Sequence, residues 1–528
     1  MTHPAAPPAV SSARAHPRDW ANQQGQRVAL HLVDTGETLS CAELVERADR
    51  AANLFAKMGL EQGDTLAIWL ENHIRYPELI WAAKNSGITY ACISSQSSVD
   101  DAAFIVDNCD ARLLITSARL AETAVPVAER LGGQLQYLML DGAQGPYTAY
   151  EPALMAAPAT PLQGRCRGPS MLYSSGTTGR PKGVRVTMGT APPEQPPPRH
   201  AMLVNRYGFA DDTVLLNPGP FYHASPGRFM VCVQRCGGTV VASRKFDALT
   251  TLNAVTAHQV THALLVPTMM IRLLQLPAEQ RAAADLSSLR CLLHLGAPCP
   301  VPVKRQMIEW LGPIVEELYA GTESVGHTFI SSEEWLAHPG SVGRPAPGCS
   351  IRIVDEAGHV LPPRTAGLIQ MHNGHRFEYH KDAEKTRQTL SADGWGSLGD
   401  IGYLDDDGYL YLTDRQSHMI VSGGVNIYPQ EAENLLMTHP AVNDVAVIGV
   451  PHPEFGESVK AVVQARHPVT DGDAMAAELM DWCRAQLSAY KCPRSVDFVA
   501  QLPRNEAGKL LKHQVRKSYW QGRESTLV

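Results

Sequence analysis

The most informative stretch of this chain is Tyr173-Ser174-Ser175-Gly176-Thr177-Thr178-Gly179-Arg180-Pro181-Lys182-Gly183-Val184. Apolar Met171 and Leu172 precede it, so the sequence predicts a strand that runs into a loop. Glycine lets the backbone approach a ligand closely, and successive N–H groups in such a loop form a nest for an anion. The hydroxyl side chains and the Lys182 ammonium add donors and positive charge. The stretch therefore predicts a polyphosphate site, although a Ser/Thr/Gly-rich run by itself also suits a flexible loop.

The loop is distinct from the Walker A pattern, because Lys182 is followed by Gly183 and the glycine spacing differs. The residues predicted to bind phosphate are Ser174, Ser175, Gly176, Thr177, Thr178, Gly179 and Lys182.

Size and composition indicate a globular protein with more than one domain. The chain has 528 residues, of which 44% are hydrophobic and 19% charged. A chain of this length usually divides into domains with separate hydrophobic cores. Its net charge of -7 argues against a general nucleic-acid binder. It has no run of about eighteen apolar residues, so no membrane span is predicted. Its eleven cysteines show neither a Cys-x-x-Cys pair nor zinc-site spacing, which predicts reduced thiols and a cytoplasmic location.

The order of predicted elements indicates a mixed α/β architecture. Ser40 and Glu43 form a capping-box pattern before an apolar helical face that ends near Gly59. The Pro-rich segment 187–200 is predicted to be a loop. Short apolar runs are predicted to be strands, and they cover 66–70, 113–115, 137–140, 263–266, 291–295 and 317–319.

Beyond residue 402 the pattern changes to that of a smaller unit. Asp405-Asp406-Asp407-Gly408 is a turn signal between two strand-like runs. Pro429 suits the first position of a helix, and two strands at 445–450 and 459–463 precede a helix over about 474–487. We therefore expect three parts, which are a disordered lead-in over 1–18, a large domain over 19–415 and a small domain over 416–528.

Six separated motifs in one order resemble the acyl-adenylating superfamily, which includes acyl-CoA synthetases, aryl-CoA ligases, peptide-synthetase adenylation domains and luciferases. The motifs are the loop at 174–183, Phe221-Tyr222-His223, Gly296-Ala297-Pro298, Tyr319-Ala320-Gly321-Thr322-Glu323, 395–400 with Asp414-Arg415, and 502–509. The resemblance covers about residues 25–515. It implies a large multi-sheet α/β adenylating domain followed by a small mobile α+β domain.

The resemblance also implies a role for each motif. Four residues would be catalytic, namely Lys509, Glu323, Thr322 and His223. The nucleotide would be bound by the phosphate loop and by Gly296, Ala297, Pro298, Tyr319, Ala320, Gly321, Asp400 and Arg415. Glu323 and Thr178 would hold Mg²⁺, which prefers carboxylates together with phosphate oxygens. Ser422, Gly423 and Gly424 would border the arm of CoA, and Ser417 would be the pivot of the small domain.

The implied reaction has two steps and uses ATP, Mg²⁺ and CoA. A carboxylate displaces pyrophosphate from ATP to give an acyl-adenylate, and the CoA thiol then displaces AMP. Positioning and charge stabilisation would carry the rate. The same motifs leave other reactions open: transfer to a carrier-protein thiol, a luciferase-like oxidation, or coupling of nitrous acid with an aryl amine. The joint presence of Glu323, Asp400, Arg415 and Lys509 argues against a non-catalytic nucleotide-binding protein.

The acid is predicted to be aromatic, arylpropenoic or fatty. An amino acid would call for an acidic residue beside its ammonium, and the matching position holds Tyr222-His223 instead. The candidate pocket residues are Tyr222, His223, Met270, His294, Leu295, Ala320 and Val325. The expected partners are thus the acid, ATP and CoA, with no nucleic acid and no membrane span, and a homodimer is compatible with the family.

Overall fold

The computed structural model describes residues 15–174, 181–186, 189–375, 377–391, 393–415, 418–422, 425–505 and 509–521. The helices, in chain order, are α1 Pro17–Gln24, α2 Cys41–Lys57, α3 Tyr76–Ser86, α4 Val99–Asn108, α5 Ala121–Leu131, α6 Tyr150–Met155, α7 Pro198–Tyr207, α8 Ala224–Arg235, α9 Ala248–His258, α10 Pro267–Leu274, α11 Ala278–Ala283, α12 Val301–Leu311, α13 Ser332–Ala337, α14 Ala383–Thr389, α15 Gln430–Leu436, α16 Gly472–Arg484 and α17 Lys512–Trp520.

The strands are β1 Val28–Leu32, β2 Thr38–Ser40, β3 Thr65–Trp69, β4 Thr89–Ile93, β5 Ala111–Ser117, β6 Gln136–Leu140, β7 Thr148–Ala149, β8 Ser170–Ser174, β9 Lys182–Arg185, β10 Val214–Leu216, β11 Thr239–Ala242, β12 His262–Leu265, β13 Cys291–Leu295, β14 Val315–Ala320, β15 His327–Ile330, β16 Ser341–Pro345, β17 Ser350–Val354, β18 Gly367–His372, β19 Glu378–Tyr379, β20 Asp400–Leu404, β21 Leu410–Arg415, β22 Ile420–Ser422, β23 Val425–Ile427, β24 Val442–His452, β25 Gly456–Ala465 and β26 Ser495–Phe498.

The chain forms two compact units, each assembled from separate stretches. Unit 1 contains the described residues up to 265 together with 275–293 and 377–388, and unit 2 contains 266–274, 294–375 and the described residues from 389 onward. These units are not separated by one boundary after residue 415. The domain boundary predicted there stays a prediction.

Unit 1 carries two largely parallel sheets. The first has the order β19-β9-β8-β4-β3-β5-β6-β7, in which β9 runs antiparallel to β8 and to β19. The second aligns β12, β10, β11 and β1 in parallel and ends in antiparallel β2. The central strands β3 and β4 of the first sheet are buried on both faces, as expected for parallel strands covered by helices. Their carboxyl ends form the edge at which such sheets bind ligands.

Unit 2 is built mainly from antiparallel strands. Seven of them follow the order β17-β18-β20-β21-β16-β15-β14, and every pairing in this series is antiparallel. A smaller sheet has the order β23-β22-β25-β24, with β26 parallel to β25. Apolar side chains of β24 and β25 pack with those of α15 and α16 into a core of its own. The mixed α/β class predicted from the sequence is confirmed.

Most predicted local structure is present. Ser40 caps α2 in a reciprocal capping box with Glu43, and the turn Asp405–Gly408 joins the antiparallel strands β20 and β21. The predicted loop at 187–200 was wrong at its end, because α7 begins at Pro198, where proline is well suited to a first helical turn. The predicted disordered lead-in covers residues 1–18, but ordered packing begins before its end. Ala15 and His16 are buried, and α1 begins at Pro17. Pro429 was predicted at the first position of a helix and lies one residue earlier, at the N-cap position of α15.

Candidate active site

The predicted phosphate loop lies between two antiparallel paired strands of unit 1, β8 and β9. Ser174 ends β8 and lies directly opposite Lys182, the first residue of β9. Gly183 lies beneath the Tyr173 ring, where an added Cβ would come within 3.0 Å of the ring, so this close approach requires glycine. The Lys182 Nζ lies 5.9 Å from the centre of the Tyr379 ring. The predicted ligands Ser175, Gly176, Thr177, Thr178 and Gly179 lie outside the described residues.

The Phe221-Tyr222-His223 motif leads into helix α8, also in unit 1. His223 occupies the N-cap position, and its ring centre lies 4.6 Å from that of the buried Tyr222. Sequence reasoning missed the residue that holds the motif in place, Asn72. Its Oδ1 accepts a 2.7 Å hydrogen bond from the Phe221 backbone N–H, and its Nδ2 donates to the carbonyl groups of Gly219 and Ser243. A buried asparagine with all these partners fixes the start of α8.

In unit 2 the structure brings two predicted nucleotide residues together. The Tyr319 hydroxyl donates a 2.6 Å hydrogen bond to Oδ2 of Asp400. Asp400 is only 6% exposed, whereas Tyr319 is half-buried. Asp400 also pairs in register with Arg415 on the neighbouring strand, although the Arg415 side chain lies outside the described part. An aromatic ring and a carboxylate thus lie side by side at the end of β14 and the start of β20.

The turn after β14 carries Thr322 and Glu323. An added Cβ at Gly321 would come within 2.3 Å of the Leu398 side chain and 2.9 Å of Glu323 Oε2. Ser324 has a left-handed φ of 57°, and its carbonyl oxygen accepts a 2.8 Å hydrogen bond from Asn373 Nδ2. Asn373, which sequence reasoning missed, therefore holds the turn that presents Glu323.

The Gly296-Ala297-Pro298 loop follows a buried charge cluster. Gly296 has a φ of +88°, a backbone conformation that favours glycine. Two residues earlier, fully buried His294 places its Nε2 3.4 Å from Glu317 Oε2, and the Lys304 Nζ lies 2.6 Å from the same oxygen. Burial lowers the pKa of His294 and raises that of Glu317. His294 was predicted to line the acid pocket, and the structure places it in this ion cluster.

Lys509, the predicted adenylation lysine, is hydrogen-bonded to Asn505. The Lys509 N–H donates a 2.8 Å hydrogen bond to Asn505 Oδ1, and the Asn505 N–H donates to the Lys509 carbonyl oxygen. The neighbouring Arg504 donates two hydrogen bonds of 2.6 and 2.7 Å to Asp444. Residues 506–508 lie outside the described residues. Asn505 therefore bonds both the N–H and the carbonyl group of Lys509.

Asp414, near the end of β21, contacts the start of helix α15 and His418. One carboxylate oxygen accepts a 2.9 Å hydrogen bond from the Gln430 N–H, and the other lies 3.3 Å from His418 Nδ1. Ser422 is buried in β22 opposite Gly456. The candidates Ser417, Gly423 and Gly424 lie outside the described residues.

Comparison with known proteins agrees with this geometry. A family model described as AMP-binding enzyme matches residues 17–377, and a model of the AMP-binding enzyme C-terminal domain matches residues 431–509. The fold is that of an adenylate-forming enzyme. The chain belongs to the AMP-binding enzyme family, and the acyl-adenylating resemblance predicted from the motifs is confirmed.

The chain is similar to a feruloyl-CoA synthase from Amycolatopsis sp, at 34% identity over 92% of this chain and 94% of the relative. The ATP-bound structure of MatB from Rhodopseudomonas palustris matches with a TM-score of 0.82 and 28% identity, over 96% of this chain and 99% of that one. The amide bond synthetase McbA from Marinactinospora thermotolerans matches with a TM-score of 0.80 and 26% identity, over 95% and 99%. Within the described residues, no helix has the length and apolar character needed to cross a membrane.

Proposed function

We propose that this protein activates an aromatic or arylpropenoic acid with ATP and transfers the acyl group to CoA. The observation that carries the proposal is the hydrogen-bonded pair of Tyr319 and Asp400. The Tyr319 ring offers a stacking face for adenine, and the Asp400 carboxylate can accept hydrogen bonds from two ribose hydroxyls. The similarity to a feruloyl-CoA synthase over nearly the whole chain supports both the acid and the acceptor.

In the first step a carboxylate oxygen of the acid attacks the α-phosphorus of ATP. The bond to the β-phosphate breaks, and pyrophosphate leaves with the electron pair. Lys182 and the loop around it would hold the β- and γ-phosphates, and Thr322 and Lys509 would offset charge that develops at the α-phosphate. Such groups act by being in place before the charge develops.

In the second step the sulfur of CoA attacks the acyl carbonyl carbon and AMP leaves. The thiol loses its proton as the carbon–sulfur bond forms. Ser422 and the two glycines that follow it would border the thiol arm, because small side chains leave room for a narrow chain. His223 at the start of α8 would close the acid side of the pocket.

The residues of unit 2 are suitable for Mg²⁺ bound with a nucleotide. Glu323 supplies one hard carboxylate oxygen, and the described residues hold no cluster of three or more His, Cys, Asp or Glu that would form an all-protein cage. Mg²⁺ typically uses one or two carboxylates plus phosphate oxygens. Glu323 would therefore hold the ion, with Thr178 proposed as a further ligand, and the ion would neutralise phosphate charge.

An amine acceptor is the second candidate, because the chain is also similar to an amide bond synthetase. The two acceptors share the adenylation step and differ only in the nucleophile. Incubation with MgATP and a pool of aryl, arylpropenoic and fatty acids, with CoA or with a pool of amines, separates them by product mass. A thioester that forms only with CoA supports the proposal, and an amide without any thioester overturns the choice of acceptor.

Lys509→Ala tests the catalytic assignment. We expect adenylation, measured as pyrophosphate release, to fall by roughly 10²-fold or more, on the scale of removing one transition-state donor. The matched control is Lys517→Ala, which removes an exposed lysine from α17. Adenylation by Lys509→Ala at the rate of the control would refute the role of Lys509.

We also propose a cytoplasmic location and a homodimer. All eleven cysteines are free thiols, which suits a reducing compartment. Sedimentation at several protein concentrations measures the oligomeric state, and fractionation of cells measures the location.

A further inference from the structure

Unit 2 contains a buried ion pair that lies close to Lys509 in the sequence. Lys512 is the first residue of α17, and its Nζ lies 2.8 Å from Oε1 of Glu433 in α15. Glu433 is 5% exposed and Lys512 is 7% exposed. Sequence reasoning gave neither residue a role. Charged residues are rarely buried unless they are paired, so the two side chains depend on each other for their place in the fold.

The ion pair lies at one edge of the smaller sheet. β24 is the last strand in the order β23-β22-β25-β24, so among the described residues one side of its backbone faces no other strand. The Val447 N–H of β24 donates a 2.7 Å hydrogen bond to Oε1 of Glu433, the same oxygen that lies nearest Lys512. Glu433 therefore gives a partner to a backbone N–H at the sheet edge.

The ion pair also joins two helices that pack on opposite faces of β24. Successive side chains of a strand point to opposite faces of its sheet. Val447 shares a core with Leu436 of α15, whereas its neighbour Ala446 shares a core with Val515 of α17. A contact from α15 to the first residue of α17, made across the edge strand, fixes the place where α17 begins.

A short segment connects the start of α17 to Lys509. Lys512 follows Lys509 by only three residues. The Leu511 N–H donates a 2.9 Å hydrogen bond to the Pro503 carbonyl oxygen, next to the bonds between Lys509 and Asn505. The segment 509–512 is thus attached to residues 503–505 along its length and to α15 at its end. A shift of Lys512 would therefore reach Lys509 through the chain.

The loss of one charge would disturb this arrangement. Burial raises the pKa of Glu433 to about 7, Lys512 opposes that shift, and the negative charge of Asp414 adds to it. Removal of one partner of a buried pair leaves the other charge uncompensated, which is strongly unfavourable. The remaining charged group would move toward water, and the start of α17 would move with it.

We propose that Lys512 and Glu433 are positioning residues for adenylation, because their ion pair holds the start of α17 and thereby the place of Lys509. This inference rests on the proposed function, since it assumes that Lys509 offsets charge at the α-phosphate. Neither residue of the pair is assigned a contact with the substrate. A displaced Lys509 would keep its charge but stabilise the transition state less, because such groups act from a preorganised position.

The first test measures kcat and KM for pyrophosphate release by Lys512→Met and Glu433→Gln. We expect kcat to fall by about 10- to 100-fold, the scale of a small displacement of a catalytic group. KM for ATP should stay that of the unmodified protein, because the predicted adenine and ribose contacts are unchanged. Lys512→Arg keeps the positive charge and should recover part of the rate.

The matched control is Lys491→Met. It removes a lysine that lies 2.7 Å from Glu431, two residues before Glu433 on the same helix. The control should keep the kcat of the unmodified protein, since Lys491 is distant from Lys509 in the sequence. If Lys512→Met and Glu433→Gln both have the kcat of the control, the proposal is overturned.

The second test separates positioning from a general effect on the fold. If the pair acts through Lys509, then Lys512→Met/Lys509→Ala should release pyrophosphate at the rate of Lys509→Ala alone, because a side chain that is absent cannot be displaced. Losses that multiply in the double variant show an independent structural effect and overturn the proposal. If thermal unfolding shows that Lys512→Met does not fold, Glu433→Gln/Lys509→Ala decides, because glutamine keeps the size of the side chain and an acceptor for the Val447 N–H.

The same measurements distinguish failure of this inference from failure of the proposed function. A rate for Lys509→Ala equal to that of the unmodified protein removes the role of Lys509 and overturns the inference, while adenylation itself stands. No pyrophosphate release by the unmodified protein with the pool of aryl, arylpropenoic and fatty acids overturns both.

Discussion

Removing one hydroxyl from Tyr319 tests the nucleotide site with little other disturbance. Tyr319→Phe keeps the aromatic ring but deletes the donor of the 2.6 Å hydrogen bond to Asp400 Oδ2. Hydrogen bonds to charged groups contribute about 1.5–3 kcal/mol. Because Asp400 is 6% exposed, water replaces the lost donor only in part. The carboxylate is then less well held for a ribose, and we expect nucleotide affinity to fall about 10-fold, or about 1.4 kcal/mol.

Ligands with and without a ribose make this prediction specific. Adenine alone has no ribose, so Tyr319→Phe should bind adenine as well as the unmodified protein does. AMP and ATP contain the ribose and should bind more weakly. Tyr319→Ala also removes the stacking face, which contributes about 1–3 kcal/mol per base, so it should weaken all three ligands.

Isothermal titration calorimetry with adenine, AMP and ATP measures these affinities directly, and thermal unfolding of each variant without ligand shows whether the fold is retained. AMP binding by Tyr319→Phe equal to that of the unmodified protein would refute the coupling between the hydroxyl and ribose recognition. Equal weakening of adenine and AMP would show that the hydroxyl acts on the ring position and not through Asp400.

Two further predictions concern stability. Lys304→Met leaves the buried Glu317 carboxylate without its 2.6 Å partner, so it should destabilise unit 2 by about 3–5 kcal/mol. The double variant Lys304→Met/Glu317→Leu should recover most of this loss, because no unpaired charge stays buried. Denaturant unfolding measures both variants, and a double variant as unstable as the single one would contradict the reasoning. Burial lowers the pKa of His262 from 6.5 to about 4, so the unfolded chain takes up a proton that the folded chain excludes, and stability is lost as pH falls from 6.5 to 4. His262→Gln should remove up to about 3 kcal/mol of this acid sensitivity, and an unchanged pH profile would show that His262 does not contribute.

Local structure was largely predictable because its causes lie close together in the sequence. The capping box of Ser40 and Glu43 joins residues three apart, and α2 begins where it predicts. The turn after Asp405 likewise depends on adjacent residues. The motif Tyr319–Glu323 was recognisable because its members are consecutive in the chain. In each case one short segment contains both the signal and the structure.

The supports of the site were not predictable in this way. Asn72 holds Phe221 from 149 residues away, and Asn373 holds Ser324 from 49 residues away. Asparagine is common in loops, so neither residue carries a local signal. The same holds for His294, whose place in the sequence suggested an acid pocket. Its partner Glu317 lies on another strand, and only the folded chain shows the contact.

The buried ion pair of Lys304 and Glu317 in unit 2 belongs to the scaffold that supports the predicted nucleotide residues. Lys304 lies 2.6 Å from Glu317 and is fully buried, so its charge is already compensated and water is excluded. Such a pair connects α12 to the strand that presents Tyr319. A compensated pair gains nothing from a ligand, so this pair has a structural role.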